Sequence, residues 1–121
     1  MNIKEILSSK EGLNLVMGDA LRILAMYRRL WLSELYAEMT SLSLTLGERP
    51  CSMKDLKKAI EKLQKLGLVK YEKKLHSMAI RDVIEEPLIS INLEPTQLIH
   101  ILNDERFKRY QAIRYEIFKL K

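Results

Sequence analysis

Apolar positions recur at helical spacing along most of this chain and switch to alternation in one central stretch. Over 13–30, Leu21, Leu24 and Tyr27 stand three residues apart with Ala20 and Ile23 beside them, which predicts a helix. Asp19 can cap a second half beginning at Ala20, so the pattern allows a bend at Gly18-Asp19. Arg28 and Arg29 suit the negative C-terminal end of this helix. A short helix is predicted before it, over 3–9. Trp31 and Leu32 read as extended, and Ser33 can cap a helix running from Glu34. In that helix Leu35, Met39, Leu42 and Leu46 step by four, three and four, as one buried stripe. Gly47 stands where a left-handed residue closes a helix, and Pro50 stops it from running on.

Ser52 opens the best-specified helix of the chain, 52–66. Asp55 follows at the capping-box distance, Leu56, Ile60 and Leu63 form the apolar stripe, and Gly67 supplies the stop. After Gly67 the period changes. The run 68–73, Leu-Val-Lys-Tyr-Glu-Lys, is rich in strand formers, and 79–84 is a second extended stretch. Glu85-Glu86-Pro87 reads as a turn before the alternating 88–93. The economical pairing is a long antiparallel hairpin with strands near 68–84 and 88–93; a tip at 74–78 is the other option. Pro95 restarts helix, with Leu98, Ile101 and Leu102 as its first stripe. Asn103-Asp104 can break it. Then Tyr110, Ile113, Ile117 and Leu120 step by three, four and three. The expected fold class is mainly α with a small β-hairpin (α+β), as one domain: 1–94, and a C-terminal helical part, 95–121, that belongs to it.

Charge changes this picture more than composition does. The 121 residues carry a net charge of +5. The stretch 51–74 alone holds eight lysines against Asp55, Glu61 and Glu72, an excess of five. Elsewhere 13 basic and 13 acidic residues cancel. A localised basic patch attracts polyanions, although a solvated helix face is the commoner use of lysines. Apolar residues at 47% and charged residues at 31% suit a folded domain. Scarce Gln beside abundant Lys and Glu is a thermophile-like bias. No apolar run approaches the length of a membrane span and the N-terminus does not read as a secretory signal, so a cytoplasmic protein is expected. Cys51 is the only cysteine, which excludes an internal disulfide and a cysteine-based zinc site. No Gly-rich phosphate loop, metal-ligand cluster or nucleophile motif is present, so neither an enzyme nor a metal or cofactor is expected.

The predicted order is helix, short strand, helix, turn, helix, hairpin and final helix. It is carried by Ala20-Leu21-Arg22-Ile23-Leu24, Trp31-Leu32-Ser33-Glu34-Leu35 and Ser52-Met53-Lys54-Asp55-Leu56. Its most specific piece is the amphipathic run Ile60-Glu61-Lys62-Leu63-Gln64-Lys65-Leu66-Gly67-Leu68-Val69-Lys70-Tyr71. These features resemble the winged helix-turn-helix proteins, in particular small archaeal MarR-like and PadR-like transcription regulators. The resemblance covers about residues 13–93. The turn over 47–51 is longer than the tightest helix-turn-helix connections, and the hairpin is long.

The resemblance implies double-stranded DNA as partner, with helix 52–66 in the major groove and the hairpin as wing. Wound at about 100° per residue, that helix sets Lys54, Lys58, Lys62 and Lys65 in one sector opposite Leu56, Ile60 and Leu63. No arginine occurs over 50–80, so the helix lacks the two-pronged guanine contact and holds DNA through phosphates. Five phosphate contacts imply a log–log salt slope of about −4.5. Base contacts would come from Ser52, Met53, Lys54, Asp55, Lys57 or Lys58. The wing would add Lys70, Lys73, Lys74, His76 and Arg81. The duller readings are a small, partly buried Cys51 rather than a redox switch beside the helix cap, a solvated His76, a structural His100 and core roles for Trp31 and the methionines. The stripe of Tyr110, Ile113, Ile117 and Leu120 can fold back on its own domain or pair with a second copy; its length favours a homodimer. No residue set points to a small-molecule effector. The competing function is a winged-helix adaptor that binds another protein.

Overall fold

The computed structural model describes residues 1–77 and 83–119. In chain order these form α1 (Ile3–Ser8), α2 (Gly12–Tyr27), β1 (Arg29–Trp31), α3 (Leu32–Thr45), α4 (Met53–Lys65), β2 (Val69–Ser77), β3 (Val83–Ile91), α5 (Pro95–Leu102) and α6 (Glu105–Lys119). The strands make one antiparallel sheet in the order β1-β3-β2. The class is α+β, as expected. The periodic stripes also fall where expected: Leu35, Met39 and Leu42 of α3, Leu46 just past its end, and Leu56, Ile60 and Leu63 of α4 are buried around α2.

Three local expectations need correction. The first is α2, which passes through Gly18-Asp19 in one run and ends at Tyr27, so that Arg28 lies just past the helix and Arg29 and Leu30 belong to β1. Asp19 caps nothing. It is buried inside α2, where two guanidinium groups take its carboxylate. The second is the start of α3, at Leu32 rather than Glu34. Ser33 is therefore inside the first turn, and its N–H donates to Glu86 Oε1 of β3 at 2.7 Å. The Trp31 N–H donates to Glu34 Oε1 at 3.0 Å. Two carboxylates at the positive end of α3 do the capping assigned to Ser33.

The third is the hairpin. Glu85-Glu86-Pro87 is no turn but the middle of β3, and 74–77 belongs to β2. The strands are joined through residues outside the described set. Proline is tolerated in this central strand for a reason visible in the register. Ile91 N–H bonds to Arg28 O and Asn92 N–H to Leu68 O, so odd positions of β3 point toward β1. The pairing with β1 ends at Leu88. The N–H that Pro87 lacks falls where β1 has already stopped.

Asn103-Asp104 does break the last helical region. Asp104 Oδ2 accepts the Phe107 N–H at 2.9 Å and starts α6. Helix α6 then folds back on the domain, with Phe107 and Tyr110 buried in the core and Ile113 packed against it. No helix among the described residues is long and apolar enough to cross a membrane.

Candidate nucleic-acid interface

Helix α4 owes its position to its two ends and its apolar side. The Ser52 Oγ accepts the Asp55 N–H at 3.1 Å and closes the N-terminus. Leu56, Ala59, Ile60 and Leu63 pack chiefly on α2. At the other end Gly67, at φ +76°, turns the chain, and Leu68 N–H reaches back to Leu63 O at 3.0 Å. Asn92 then staples this corner to the end of β3: its Nδ2 donates to Gly67 O at 2.8 Å and its N–H to Leu68 O at 2.9 Å. The angle between α4 and the hairpin is thereby set by hydrogen bonds.

The outer side of α4 is cationic. Lys54, Lys57, Lys58, Lys62 and Lys65 are all exposed. Lys65 reaches Glu61 at 3.4 Å, but both side chains are mostly in water, where such a pair is weak and screened by salt. Between α4 and the hairpin runs an open groove. Lys57, Glu61, Tyr71, Lys73, Glu85 and Pro87 are among its lining residues.

The strand period divides the lysines of the wing. Tyr71 and Lys73 share the groove face of β2. By alternation Lys70 and Lys74 stand on the opposite face, and Lys74 pairs there with Glu72 at 3.3 Å. The structure therefore brings Lys73 together with α4 and sets Lys70 and Lys74 apart from it. Met53 is half-buried against the core. His76 lies on β2 in register with Ile84. Arg81 lies outside the described residues. Just before the arginine-free span, the exposed Arg49 stands in the α3–α4 turn and lines a shallow depression with Asp55 and the first turn of α2. Cys51 is half-buried beside the cap, and burial pushes its thiol up, so it stays protonated at neutral pH.

The expected dimer stripe is divided as well. Tyr110 is 1% exposed and inside its own domain, with the Arg114 guanidinium 5.5 Å from its ring centroid. Ile113 is half spent on the same core. Ile117 is exposed, as are Tyr115 and Phe118, the last at 78%. Leu120 lies outside the described residues.

One constellation escaped the sequence reading. Arg22 is 1% exposed, and its guanidinium meets Asp19 at 2.9 Å, Asp104 at 2.7 and 3.2 Å and the Leu7 carbonyl at 2.8 Å. Arg106 forks onto the same Asp19 at 2.7 and 2.9 Å and onto Glu48 at 2.6 and 2.7 Å. The ion pairs join α2, the α3–α4 turn and the start of α6, and the Arg22 hydrogen bond to the Leu7 carbonyl ties α1 to them. The available signal was Asp19 and Arg22 inside an otherwise apolar run, since a charge at such a place needs partners. No cluster able to hold a metal ion occurs among the described residues.

No described protein family matches the sequence, and no curated protein does either. A solved structure does resemble the fold. The Aeropyrum pernix Orc1 protein, in complex with DNA, superposes with a TM-score of 0.60 at 18% identity. The match covers 88% of this chain and 27% of that one. The fold is a winged helix. In its terms α3 and α4 are the helix-turn-helix pair, and β2 and β3 are the wing.

Proposed function

We propose that this winged helix binds double-stranded DNA as a dimeric transcription regulator, with α4 in the major groove and the wing on the backbone. The observation that carries the reading is the exposed lysine face of α4, opposite its buried stripe and stapled beside the hairpin. The fold shared with a DNA-complexed Orc1 protein supports it. A helix of this kind fits the major groove, and lysines meet phosphates as mobile point charges. Arg49, at the mouth of the turn, adds one guanidinium beside the N-terminus of α4. The likeness to MarR-like and PadR-like regulators rests on the Leu-Gly-Leu-Val junction and the helix before it.

Anisotropy of a labelled random duplex tests the reading. Five phosphate contacts give a loss of roughly 500-fold between about 50 and 200 mM salt. No binding at low salt, or binding indifferent to salt, overturns it.

For the dimer, the exposed end of α6 is the proposed contact, through Tyr115, Ile117 and Phe118 and no longer through Tyr110. A two-fold pair would set two α4 helices about 34 Å apart, one turn of DNA. Phe118→Asp should halve the mass measured by sedimentation, and a parent that is already monomeric removes the dimer from the reading. A protein-binding adaptor is the second reading. The groove favours it, because Leu32, Ile60, Tyr71 and Pro87 give its lining an apolar part.

A further inference from the structure

The apolar stripe of α4 holds the helix against α2 but is non-directional, so it fixes contact better than angle. The angle is set at the ends. The C-terminal end has the Asn92 staple. The N-terminal end enters from the turn over 46–52, where Glu48 N–H bonds back to Ser43 O at 2.8 Å. The Glu48 carboxylate accepts two N–H groups of Arg106, at 2.6 and 2.7 Å. The other prong of Arg106 is anchored on Asp19 in the middle of α2. Asp19 is in turn locked by Arg22, which also grips Asp104, the residue that starts α6. A planar guanidinium bridging two carboxylates permits one relative placement of its partners.

We infer that Arg106 is a positioning residue for the α4 face: by clamping Glu48 to Asp19 it makes the docking of α6 set the angle at which α4 meets DNA. The inference rests on the DNA-binding reading. Neither Arg106 nor Glu48 belongs to the lysine face, so both act through the turn. The clamp is specific to arginine, because lysine keeps the charge and loses the fork.

Glu48→Gln separates this role from simple electrostatics. Removing an acid raises the net charge by one and, acting through charge alone, tightens DNA binding. Loss of the clamp predicts the opposite, a weakening of about five-fold for Glu48→Gln, for Arg106→Gln and for Arg106→Lys. The double variant Glu48→Gln with Arg106→Gln should be no weaker than Arg106→Gln alone, because one linkage is being broken. Glu48 is partly exposed, so its variant folds with its amide in water. Duplex affinity equal to or tighter than that of the parent in Glu48→Gln overturns the inference. A parent that binds no duplex overturns the DNA reading instead. Amide hydrogen exchange over 48–56 then decides the clamp: faster exchange in Glu48→Gln supports it, and an unchanged rate ends it.

Discussion

A Cβ at position 18 would lie 2.8 Å from Arg22 Nη1 and 3.2 Å from the Ile6 carbonyl oxygen. Glycine is thus required here for close approach, at a position with helical backbone. The Arg22 side chain cannot swing aside to make room, since both aspartates and the Leu7 carbonyl hold it. Gly18→Ala in a helix interior ordinarily gains about 1 kcal/mol from propensity. Here overpacking against α1 and a locked guanidinium costs about 1–3 kcal/mol, so the net effect is destabilising. A urea midpoint that rises in Gly18→Ala would show that α1 yields freely and that the approach is not tight. The same neighbourhood accounts for the buried Arg22. Desolvating a lone guanidinium costs several kcal/mol, and two carboxylates plus a carbonyl on its donors offset that cost.

Helix α6 shows how local pattern and long-range chemistry divide the information. The stripes of α3 and α4 were legible because a 3.6-residue period repeats a single requirement, burial, within one element. The caps at Ser52, Gly47 and Gly67 were legible because their partners lie within a few residues. The ion-pair chain was not, because its bonds span 58, 82 and 87 residues. Glu85-Glu86-Pro87 misled for a related reason. Its turn-like composition is accommodated by the end of β1 and the start of α3, which are remote in sequence. The long-range chain has a pH signature. Arg106 hydrogen-bonds the ionised Glu48 and holds its carboxyl below the ordinary value of 4.5, against the desolvation that raises it. A depressed folded value means stability that is complete above about pH 4.5 and is lost as pH falls through the folded value. Glu48→Gln should therefore be less stable than the parent at pH 7, and the gap should close toward pH 3. Urea midpoints at the two pH values measure it, and a gap that stays constant removes Glu48 from the acid limb.

At the scale of the whole molecule the positive excess is divided between two faces, a division that the sequence count could not make. Counting 51–74 put every lysine of the stretch in one patch. The sheet then splits them, because successive β2 side chains point to opposite faces. Lys73 joins the α4 groove, while Lys70 and Lys74 stand on the far face, where Glu72 already pairs with Lys74. If DNA lies along α4, the two sets contribute differently. Lys54→Ala with Lys58→Ala removes two phosphate contacts and should lower the magnitude of the salt slope by about 1.8. Lys70→Ala with Lys74→Ala removes the same formal charge from the far face. It should alter affinity through the screened long-range field alone, which fades beyond about 8–10 Å at physiological salt, and should leave the slope nearly unchanged. Melting temperatures of both pairs should match the parent, because all four side chains are exposed. Equal slopes for the two pairs would mean that DNA senses only total charge, and the α4 face would lose its standing as the contact surface. A larger effect from Lys70 and Lys74 would move that surface to the outer face of the sheet. The parent chain and two double variants, each titrated at three salt concentrations, distinguish these outcomes without knowledge of any target sequence.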